Sequence, residues 1–365
     1  MIDLISPYKQ QYKANLHCHS VLSDGCRTPE ELKEMYRSRG YDILAITDHE
    51  RPVQHQRLAE KDFMMLTGYE CYIRPGTTGR YDAYAEETHL NLFAKDPMNV
   101  KMICFNDNYS RYLKRDNAVG DLVRVGSEKP REHSVEYINE YIRTAKDHGY
   151  IVAYNHPYWS MEDEVNILAY EGLFSVEMCN YSSYLLNHLE YSGALYDKML
   201  RAGKRIFCHG ADDNHNQYPE GHLLSDSFGS FTMIMPEEFT YASVIEAMEK
   251  GSMYASMGPI FKNVSVDGDT VHIECSDVAH AFLYVGSKAP AHVHAEKGTV
   301  LNTIDFKLDP NARYIRVSVC DREGRWADTR GFFPEEFRET DVENGFFKRN
   351  CPLRHHAHDG KNEIK

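Results

Sequence analysis

Short apolar runs alternate with amphipathic stretches through the first two-thirds of the chain. Thr28-Pro29-Glu30-Glu31 has the pattern of a helical capping box, and Gly40 closes the helix that this pattern predicts. The apolar run 42–47 directly after it predicts a buried strand. A second predicted helix begins at Ser134 and leads into a predicted strand over 151–154. This rhythm, sustained over roughly 250 residues, predicts an α/β barrel or a doubly wound sheet.

The pattern changes near Gly258-Pro259. From there the chain carries short runs of alternating polarity, typical of strands separated by turns. These runs cover 264–266, 271–274, 281–285, 304–308 and 314–319. We therefore expect a large domain over 1–258, a small β-sandwich-like domain over 259–333 and an irregular C-terminal tail over 334–365. Within the large domain, the stretch 95–131 is rich in Asn, Asp and Arg and predicts a long functional or mobile loop.

The charge balance and the cysteines narrow the class of protein. A formal net charge of -14 argues against a nucleic-acid partner, because neutralising phosphates requires clustered Lys and Arg. No apolar run is long enough to cross a membrane, and residues 1–11 are too polar for a signal peptide. The nine scattered cysteines indicate reduced thiols and a cytoplasmic location. The sequence predicts no particular oligomeric state.

The positions of the 19 histidines indicate a metal site. Five separate segments end a predicted strand with His, Asp or Glu, which is where barrel enzymes carry their active sites. The residues concerned are His17, His19, Asp48, His49, Glu70, His156, Asp212, Asp213 and His215. His89 differs, because it precedes the apolar run 90–94. Residues i and i+2 of a strand share a side, so His17 and His19 can address one cation.

A single HxH sequence is ambiguous, since core or surface histidines have the same spacing. The chain has two more, His292-Val293-His294 and His356-Ala357-His358, in contexts without other ligand types. Core histidines would not recur together with carboxylates at successive strand ends. We therefore expect the metal site in the first two-thirds of the chain.

Six motifs of this region follow one another in a characteristic order. They are NLHCHSVLSDG (15–25), AITDH (45–49), GYE (68–70), THLNLF (88–93), NHP (155–157) and GADDNHN (210–216). Their order resembles the polymerase and histidinol phosphatase (PHP) superfamily of metal-dependent phosphoesterases. The later stretches YASMGP (254–259) and YIRVSV (314–319) resemble its CehA/McbA subgroup. The resemblance implies an α/β fold with a distorted (β/α)7-type PHP barrel followed by a small all-β domain.

The resemblance also implies three cation positions. Residues His17, His19, Glu70 and Asp213 would surround the first, Glu70, His89 and His156 the second, and Asp24, His49 and His215 the third. Such a site would hold two to three divalent metal ions. Mixed imidazole and carboxylate ligands suit Mn²⁺, Zn²⁺ or Fe²⁺.

Two neighbouring aspartates compete for the first position. The chain has Gly210-Ala211-Asp212-Asp213 where the family usually shows Gly-Ser-Asp. In an extended exit from the preceding strand, Asp213 shares a side with His215. We therefore predict Asp213 as the ligand, with Asp212 turned toward the barrel wall or the backbone of the turn.

The function we expect is hydrolysis of a small phosphate ester, such as a sugar or nucleotide phosphate, by attack of a metal-bridging hydroxide. The substrate would be a small molecule, with no nucleic acid and no membrane as partner. A carbamate, ester or amide hydrolase of the CehA type is the alternative, and a non-enzymatic binding module is a third reading. Ordered arginines around the site would favour phosphate. An aromatic pocket built from Tyr158, Trp159 and Tyr181 would favour the carbonyl substrate.

Roles in catalysis and substrate binding follow from these expectations. The predicted catalytic residues are Glu70, Asp213, Asp48 and Arg51. Asp48 would orient a ligand imidazole or form a buried turn, and Arg51, together with arginines of 95–131, would contact phosphate unless these are ordinary surface charges. The predicted substrate-binding residues are Tyr158, Trp159 and Asn180.

Overall fold

The computed structural model describes residues 1–76 and 79–338 as a mixed α/β structure. The strands are β1 (Ile2–Ile5), β2 (Tyr12–Asn15), β3 (Ile43–Ile46), β4 (Met64–Ile73), β5 (Thr88–Ala94), β6 (Lys101–Ile103), β7 (Val123–Val125), β8 (Tyr150–Tyr154), β9 (Ser175–Asn180), β10 (Phe207–Ala211), β11 (Phe231–Ile234), β12 (Met253–Ser256), β13 (Phe261–Asp267), β14 (Thr270–Val278), β15 (His280–Tyr284), β16 (Ala291–His294), β17 (Leu301–Lys307), β18 (Arg316–Cys320) and β19 (Trp326–Thr329). The helices are α1 (Pro29–Ser38), α2 (Arg111–Arg115), α3 (Val135–Asp147), α4 (Glu164–Ala169), α5 (Tyr181–Asn187), α6 (Gly193–Arg201), α7 (Tyr241–Lys250) and α8 (Pro334–Phe337).

The two helices predicted from capping patterns form where expected. At α1, Thr28 Oγ1 accepts from the backbone N–H of Glu31 (3.2 Å), and Glu31 accepts in return from the N–H of Thr28 (2.8 Å). This reciprocal pair satisfies two donors that the first helical turn would otherwise leave free. At α3, Ser134 caps the N–H of Tyr137, and the helix buries its apolar face against the sheet.

One sheet of thirteen strands forms most of the structure, in the order β10-β9-β8-β5-β4-β3-β2-β11-β12-β19-β18-β15-β16. In its first seven strands β5 runs antiparallel to both β4 and β8, while the other pairings are parallel. In the described residues no α-helix separates β3, β4 and β5. The expected strand–helix alternation is therefore interrupted here. The antiparallel pair β4–β5 needs no helical crossover, and the parallel pair β3–β4 is joined by a segment whose one described helix is the 3-10 turn Gln56–Leu58.

The ends of β2 and β10 meet although these strands stand seventh and first in the sheet order. Beyond them, Cys18 and Asn214 form a parallel bridge. The N–H of Asp213 donates to the carbonyl of His17 (2.9 Å), and the N–H of His19 donates to the carbonyl of Asn214 (3.1 Å). These bonds bring the carboxyl-terminal exits of both strands to one place.

The strand pairings cross the domain boundary predicted at 258/259. β1 pairs with β13 in a four-stranded sheet, and β12 pairs with β19 within the large sheet. Arg316 of β18 is buried and donates to Asp197 of α6 (2.8 Å) and to Asp328 of β19 (2.5 Å). The division into 1–258 and 259–333 stays a prediction, with this buried network joining the two parts.

Two stretches expected to be irregular contain short regular elements. The stretch 95–131 holds the two-stranded sheet β6–β7 and helix α2. The predicted tail begins with α8, and its remainder from 339 onward, with His356 and His358, lies outside the described residues. Among helices of the described residues, none has the length and apolar character that crossing a membrane requires.

Candidate metal centre

Side chains with metal-binding groups converge where the strands of the large sheet end. His17 and His19 follow β2, His49 follows β3, and His156 follows β8. Asp213 and His215 follow β10. The sequence predicted this placement at strand ends for all these residues.

Glu70 and His89 reach the same place from inside strands. We expected Glu70 to follow a strand ending near residue 68, but β4 continues to Ile73. The extension is stabilised by antiparallel pairing with β5, in which Tyr72 lies opposite His89. Pairing between distant segments of this kind is not encoded in the local polarity pattern of β4.

Three groups of side chains have the mutual spacing of metal ligands, with candidate ligand atoms within 4.8 Å of one another. The first group is His17, His19, Glu70 and Asp213. Its distances include 2.9 Å from His19 Nε2 to Asp213 Oδ1, 3.1 Å from His17 Nε2 to Asp213 Oδ1 and 3.3 Å from His17 Nε2 to Glu70 Oε1. All four residues are buried. This is the set that the resemblance implied for the first cation.

The second group is His49, Glu70 and His89, so Glu70 belongs to two groups. Its Oε2 lies 2.8 Å from His49 Nδ1, and its Oε1 lies 3.0 Å from His89 Nδ1. The resemblance implied His156 in place of His49. His156 Nε2 also approaches Glu70 Oε1, at 3.2 Å, while its Nδ1 faces Ser160 Oγ at the same distance.

The third group is His19, Asp24, His49 and His215, and it is more open to solvent. Asp24 is central, with oxygens 3.6 Å from His215 Nε2 and 3.7 Å from His49 Nε2. Tyr112 donates to Asp24 Oδ2 (3.0 Å). The resemblance implied Asp24, His49 and His215 here, and the structure adds His19.

The carboxylates of the centre are held ionised by the imidazoles around them. Burial alone opposes ionisation, but the neighbouring histidines, His17 foremost, hold the pKa of both Glu70 and Asp213 well below the usual range. Such carboxylates are available as anionic ligands at neutral pH.

The two adjacent aspartates have different surroundings. Asp212 accepts from the backbone N–H groups of 228, 229 and 230 (2.7–3.0 Å) and from the Tyr36 hydroxyl (2.7 Å). Burial raises the pKa of Asp212 to about 6. Asp213 instead belongs to the first group, and its role as a metal ligand stays a prediction; the backbone path that brings it there differs from the extended one we expected. Its φ of 54° is left-handed, so the exit from β10 is not extended.

Asp48 and Arg51, predicted as catalytic, make structural contacts. Asp48 is buried and accepts from the backbone N–H and hydroxyl of both Ser20 and Ser23 (2.6–3.1 Å). It therefore shapes the turn after His19, the alternative that we had left open. Arg51 pairs with Asp116 and donates to the carbonyl of Tyr112 (3.3 Å). Those contacts hold α2 in place and keep Arg51 off the wall of the cavity described next.

A cavity of about 430 Å³ opens onto the candidate centre. Its lining comprises Asp24, His49, Glu70, Tyr72, Arg74, Tyr81, His89, Arg111, Tyr112, His156, Trp159, Ser182, Ser183, Leu186, Asn187, Asp213 and His215. Of the predicted substrate-binding residues only Trp159 lies on this wall. Its indole stands nearly perpendicular to the imidazoles of His89 and His156, with ring centres 5.4 and 5.0 Å away. Tyr158 packs instead against the apolar core.

Asn180 is engaged below the cavity. It is buried, and its Nδ2 donates to Glu177 (2.9 Å) and to Asp213 (3.0 Å). Its Oδ1 accepts from the N–H of Ser183 and caps α5. With both ends bonded inside the protein, Asn180 acts on Asp213 and not on a ligand in the cavity.

Sequence reasoning missed three residues around the centre. Glu177 touches His17, and Arg74 and Arg111 line the cavity. A charged residue within the otherwise apolar run 174–178 was the available signal for Glu177, because a buried carboxylate needs partners. Arg111 lies in 95–131, where we expected substrate-contacting arginines without choosing one.

The chemistry of the donor set fits divalent cations. Glu70 Oε2 and His49 Nδ1 lie 2.8 Å apart without the geometry of a hydrogen bond, and neither these two buried atoms nor His89 Nε2 has a hydrogen-bond partner among the described residues. His17 Nε2 and His19 Nε2 lie only 3.2 Å apart. Nitrogen and carboxylate lone pairs this crowded are stabilised by a shared cation, and imidazole with carboxylate suits Mn²⁺, Zn²⁺ or Fe²⁺.

Comparison with known proteins gives partial likenesses. No protein-family model matches the sequence, and no curated protein shows significant similarity to it. A two-domain protein from Bacteroides vulgatus containing a predicted PHP-like metal-dependent phosphoesterase is 14% identical over 91% of this chain and 89% of its own, with a TM-score of 0.41. A protein from Bifidobacterium adolescentis, provisionally assigned as a metal-dependent phosphoesterase, is 19% identical over 57% of this chain and 90% of its own, with a TM-score of 0.35.

An amidohydrolase from Chromobacterium violaceum with bound sulfate and no metal is 17% identical over 55% of this chain and 87% of its own, with a TM-score of 0.36. With TM-scores of 0.41 and less, these likenesses do not place the chain in a family.

Proposed function

We propose that the protein is a metal-dependent phosphoesterase that hydrolyses a small phosphate ester, on a scaffold of the PHP barrel type with a CehA/McbA-like β region. The observation that carries the proposal is the pair of arginines on the cavity that opens onto the three ligand groups. Arg111 lines this cavity, is exposed and forms no ion pair within the described residues. A phosphate dianion needs cationic partners besides metal, and guanidinium groups suit its oxygens.

The second arginine is partly neutralised by its surroundings. Arg74 pairs with Glu87, and its guanidinium lies over the ring of Tyr72 at 4.2 Å. Arg111 also lies over an aromatic ring, that of Tyr112 at 5.2 Å, but has no carboxylate partner in the described residues. It therefore offers the more available charge and takes the role that we had expected of Arg51. The cavity volume suits a small metabolite.

Residues of the three groups would hold two to three cations, with Glu70 shared between two of them. When bound, such ions supply an activated water and neutralise charge on phosphoryl oxygens. Asp213, Glu70 and Asp24 contribute negative charge that offsets repulsion between neighbouring cations. Trp159 packs against the imidazoles of His89 and His156 on the cavity wall and helps to fix their orientation.

The carbonyl-substrate alternative has one observation in its favour. Aromatic side chains, Tyr72, Tyr81, Tyr112 and Trp159, also line the cavity. The pocket that we had expected for such a substrate is not formed, because Tyr158 and Tyr181 are not among the lining residues. A metal-dependent carbamate, ester or amide hydrolase is therefore the second candidate.

A substrate panel on metal-loaded protein tests the proposal. We expect turnover of phosphomonoesters such as p-nitrophenyl phosphate, and no comparable turnover of p-nitrophenyl acetate or carbamates. Arg111→Gln should raise KM for the phosphoester and weaken inhibition by inorganic phosphate about tenfold or more, since a charge-assisted contact is worth about 1.5–3 kcal/mol. Arg111→Lys should retain part of the effect.

The matched control is Arg143→Gln, on an exposed face of α3 and outside the cavity. It should leave KM and phosphate inhibition unchanged. Faster turnover of the carbonyl substrates, insensitive to Arg111→Gln, would contradict the phosphoester proposal and favour the second candidate.

A further inference from the structure

Glu177 lies next to the candidate metal centre, where it contacts His17, the backbone of His156 and Asn180. It sits in the middle of β9 and is fully buried. His17 Nδ1 is 2.7 Å from its Oε1, while its Oε2 accepts from the backbone N–H of His156 (2.8 Å) and from Asn180 Nδ2 (2.9 Å). It belongs to none of the three ligand groups.

The contact with His17 decides which nitrogen of that imidazole carries the proton. A carboxylate oxygen at 2.7 Å accepts a hydrogen bond, so Nδ1 carries the proton and donates to Glu177. The lone pair is then on Nε2, which faces Glu70 and Asp213 in the first group. His89 also has a carboxylate outside the three groups nearby, with its Nε2 3.3 Å from Glu87 Oε1, but the contact between His17 and Glu177 is the shorter one.

The second oxygen connects Glu177 to two further members of the centre. Through the N–H of His156 it fixes the backbone at a residue whose φ is 24°, an unfavourable value for a side-chain-bearing residue. Through Asn180 it reaches Asp213, because Asn180 Nδ2 also donates to Asp213 Oδ2 (3.0 Å). One carboxylate thus orients the His17 imidazole and the His156 backbone directly, and the Asp213 carboxylate through Asn180.

We propose that Glu177 is a positioning residue that presents His17 Nε2 and Asp213 to the first cation; this rests on the metal centre of the proposed function. Carboxylates that orient a ligand histidine in this way raise its basicity as a donor, and their loss typically weakens metal affinity by about 10–100-fold. The proposal also assigns Asn180 to this support, in place of substrate binding.

Glutamine at position 177 cannot reproduce the carboxylate. Its single oxygen can accept either from His17 or from the two donors at His156 and Asn180. The amide NH₂ group then faces whichever partners the oxygen does not serve. Since His17, the His156 backbone and Asn180 all donate N–H to Glu177, a donor there meets a donor. Glu177→Gln therefore perturbs the first cation position while nearly conserving side-chain volume.

The test measures metal binding, so it needs no substrate. We expect Glu177→Gln to bind Mn²⁺ and Zn²⁺ at the first position 10–100-fold more weakly in a chelator competition. Co²⁺-loaded Glu177→Gln should show a visible spectrum changed from that of the parent protein. Glu177→Asp keeps the charge and should recover part of the affinity, which a purely steric role would not predict.

Glu162→Gln is the matched control. Glu162 is another buried carboxylate, bonded to Thr88 Oγ1 (2.6 Å) and the Tyr154 hydroxyl (2.8 Å) and absent from the ligand groups. It should change stability without changing metal affinity or the Co²⁺ spectrum. If Glu177→Gln is too unstable to purify, the comparison of Glu177→Asp with Glu162→Gln carries the test.

Unchanged affinity and spectrum in the Glu177 variants would overturn the proposal. The outcome is independent of the substrate panel. Weakened metal binding without any phosphoesterase activity would leave Glu177 in its role and refute only the proposed reaction.

Discussion

Arg131 donates to both carboxylate oxygens of Glu50, over 2.5 and 2.8 Å, and both side chains are buried. Both side chains also bind the backbone of β4 at Tyr72. Arg131 donates to the carbonyl of Tyr72 (2.7 Å), and Glu50 accepts from the N–H of Tyr72 (3.0 Å). Glu50 follows His49 directly and has a left-handed φ of 52°. The ion pair therefore secures the turn that presents His49 to two ligand groups.

Breaking this pair should destabilise the protein strongly. Arg131→Met leaves the Glu50 charge buried without a partner, so we expect a loss of about 3–5 kcal/mol in the free energy of unfolding. The double variant Glu50→Met/Arg131→Met should recover much of it, because no unpaired charge remains. Denaturant unfolding of the two variants checks this, and equal stability of both would argue against charge burial as the cause.

The purified protein should carry two to three equivalents of transition metal per chain. His17→Ala and His89→Ala should each lower that content, because they belong to different ligand groups. The double variant His292→Ala/His294→Ala, in exposed β16, should leave metal content and turnover near normal. Metal analysis of metal-replete samples measures the number of ions per chain. One equivalent or less in the parent protein would contradict a multinuclear site.

Glu70→Gln should abolish turnover with the fold intact. Glu70 approaches four imidazoles, those of His17, His49, His89 and His156, within 3.3 Å. Removing its charge leaves two cations without their shared anion, while the side-chain shape is kept. Circular dichroism and steady-state kinetics together provide the check. More than about a tenth of the parent turnover would be incompatible with a bridging role, since lost shared-ligand charge should cost at least 1.4 kcal/mol.

Asp213→Asn and Asp212→Asn should affect different properties of the protein. The first removes an anionic ligand of the first group, so both metal content and turnover should fall. The second keeps most of the metal and turnover. It should lower stability by about 1–3 kcal/mol, since an amide NH₂ then faces the donors of 228–230. Metal loss confined to Asp212→Asn would show that the two roles are exchanged.

Glu190 should make stability fall as pH rises from about 4.5 to 7. Burial raises the pKa of Glu190 to about 7, although the backbone N–H of Trp159 donates to it (2.6 Å) and opposes that rise. Between the unfolded and folded pKa values the native state holds a proton that the unfolded chain has lost, so the free energy of unfolding decreases with pH.

The variant Glu190→Gln stays neutral throughout and should remove this decrease. As the pH rises from 4 to 8, the free energy of unfolding of the variant should increase by about 1–3 kcal/mol relative to that of the parent protein. Unfolding curves measured across that range give the difference, and a difference that does not vary with pH would refute the assignment.

The sequence predicted where many of the candidate ligands lie along the strands far better than it predicted their surroundings, while their role as metal ligands stays a prediction. His17, His19, His49 and His156 could be predicted because apolar strands and the polar residues that end them leave a local pattern. Glu70 was expected at a strand end and lies inside β4, since its extension depends on β5. Glu177, Arg111 and the contacts of Asn180 depend on which distant segments meet, and no local period encodes that. Arg51 carries the charge that we expected at the site, but it forms an ion pair with Asp116.

The pairing of β1 with β13, with Ile2 opposite Val266, affects how the chain folds during synthesis. Residues 2–5 are synthesised long before their partner strand, which emerges only after every proposed ligand of the candidate centre has been made. Contacts between such distant segments form late and slow folding. Until then β1 has no partner strand and is exposed to pairing with other chains. A chain truncated before residue 261 would keep all its proposed metal ligands and still lack the strand that pairs with β1, which favours aggregation.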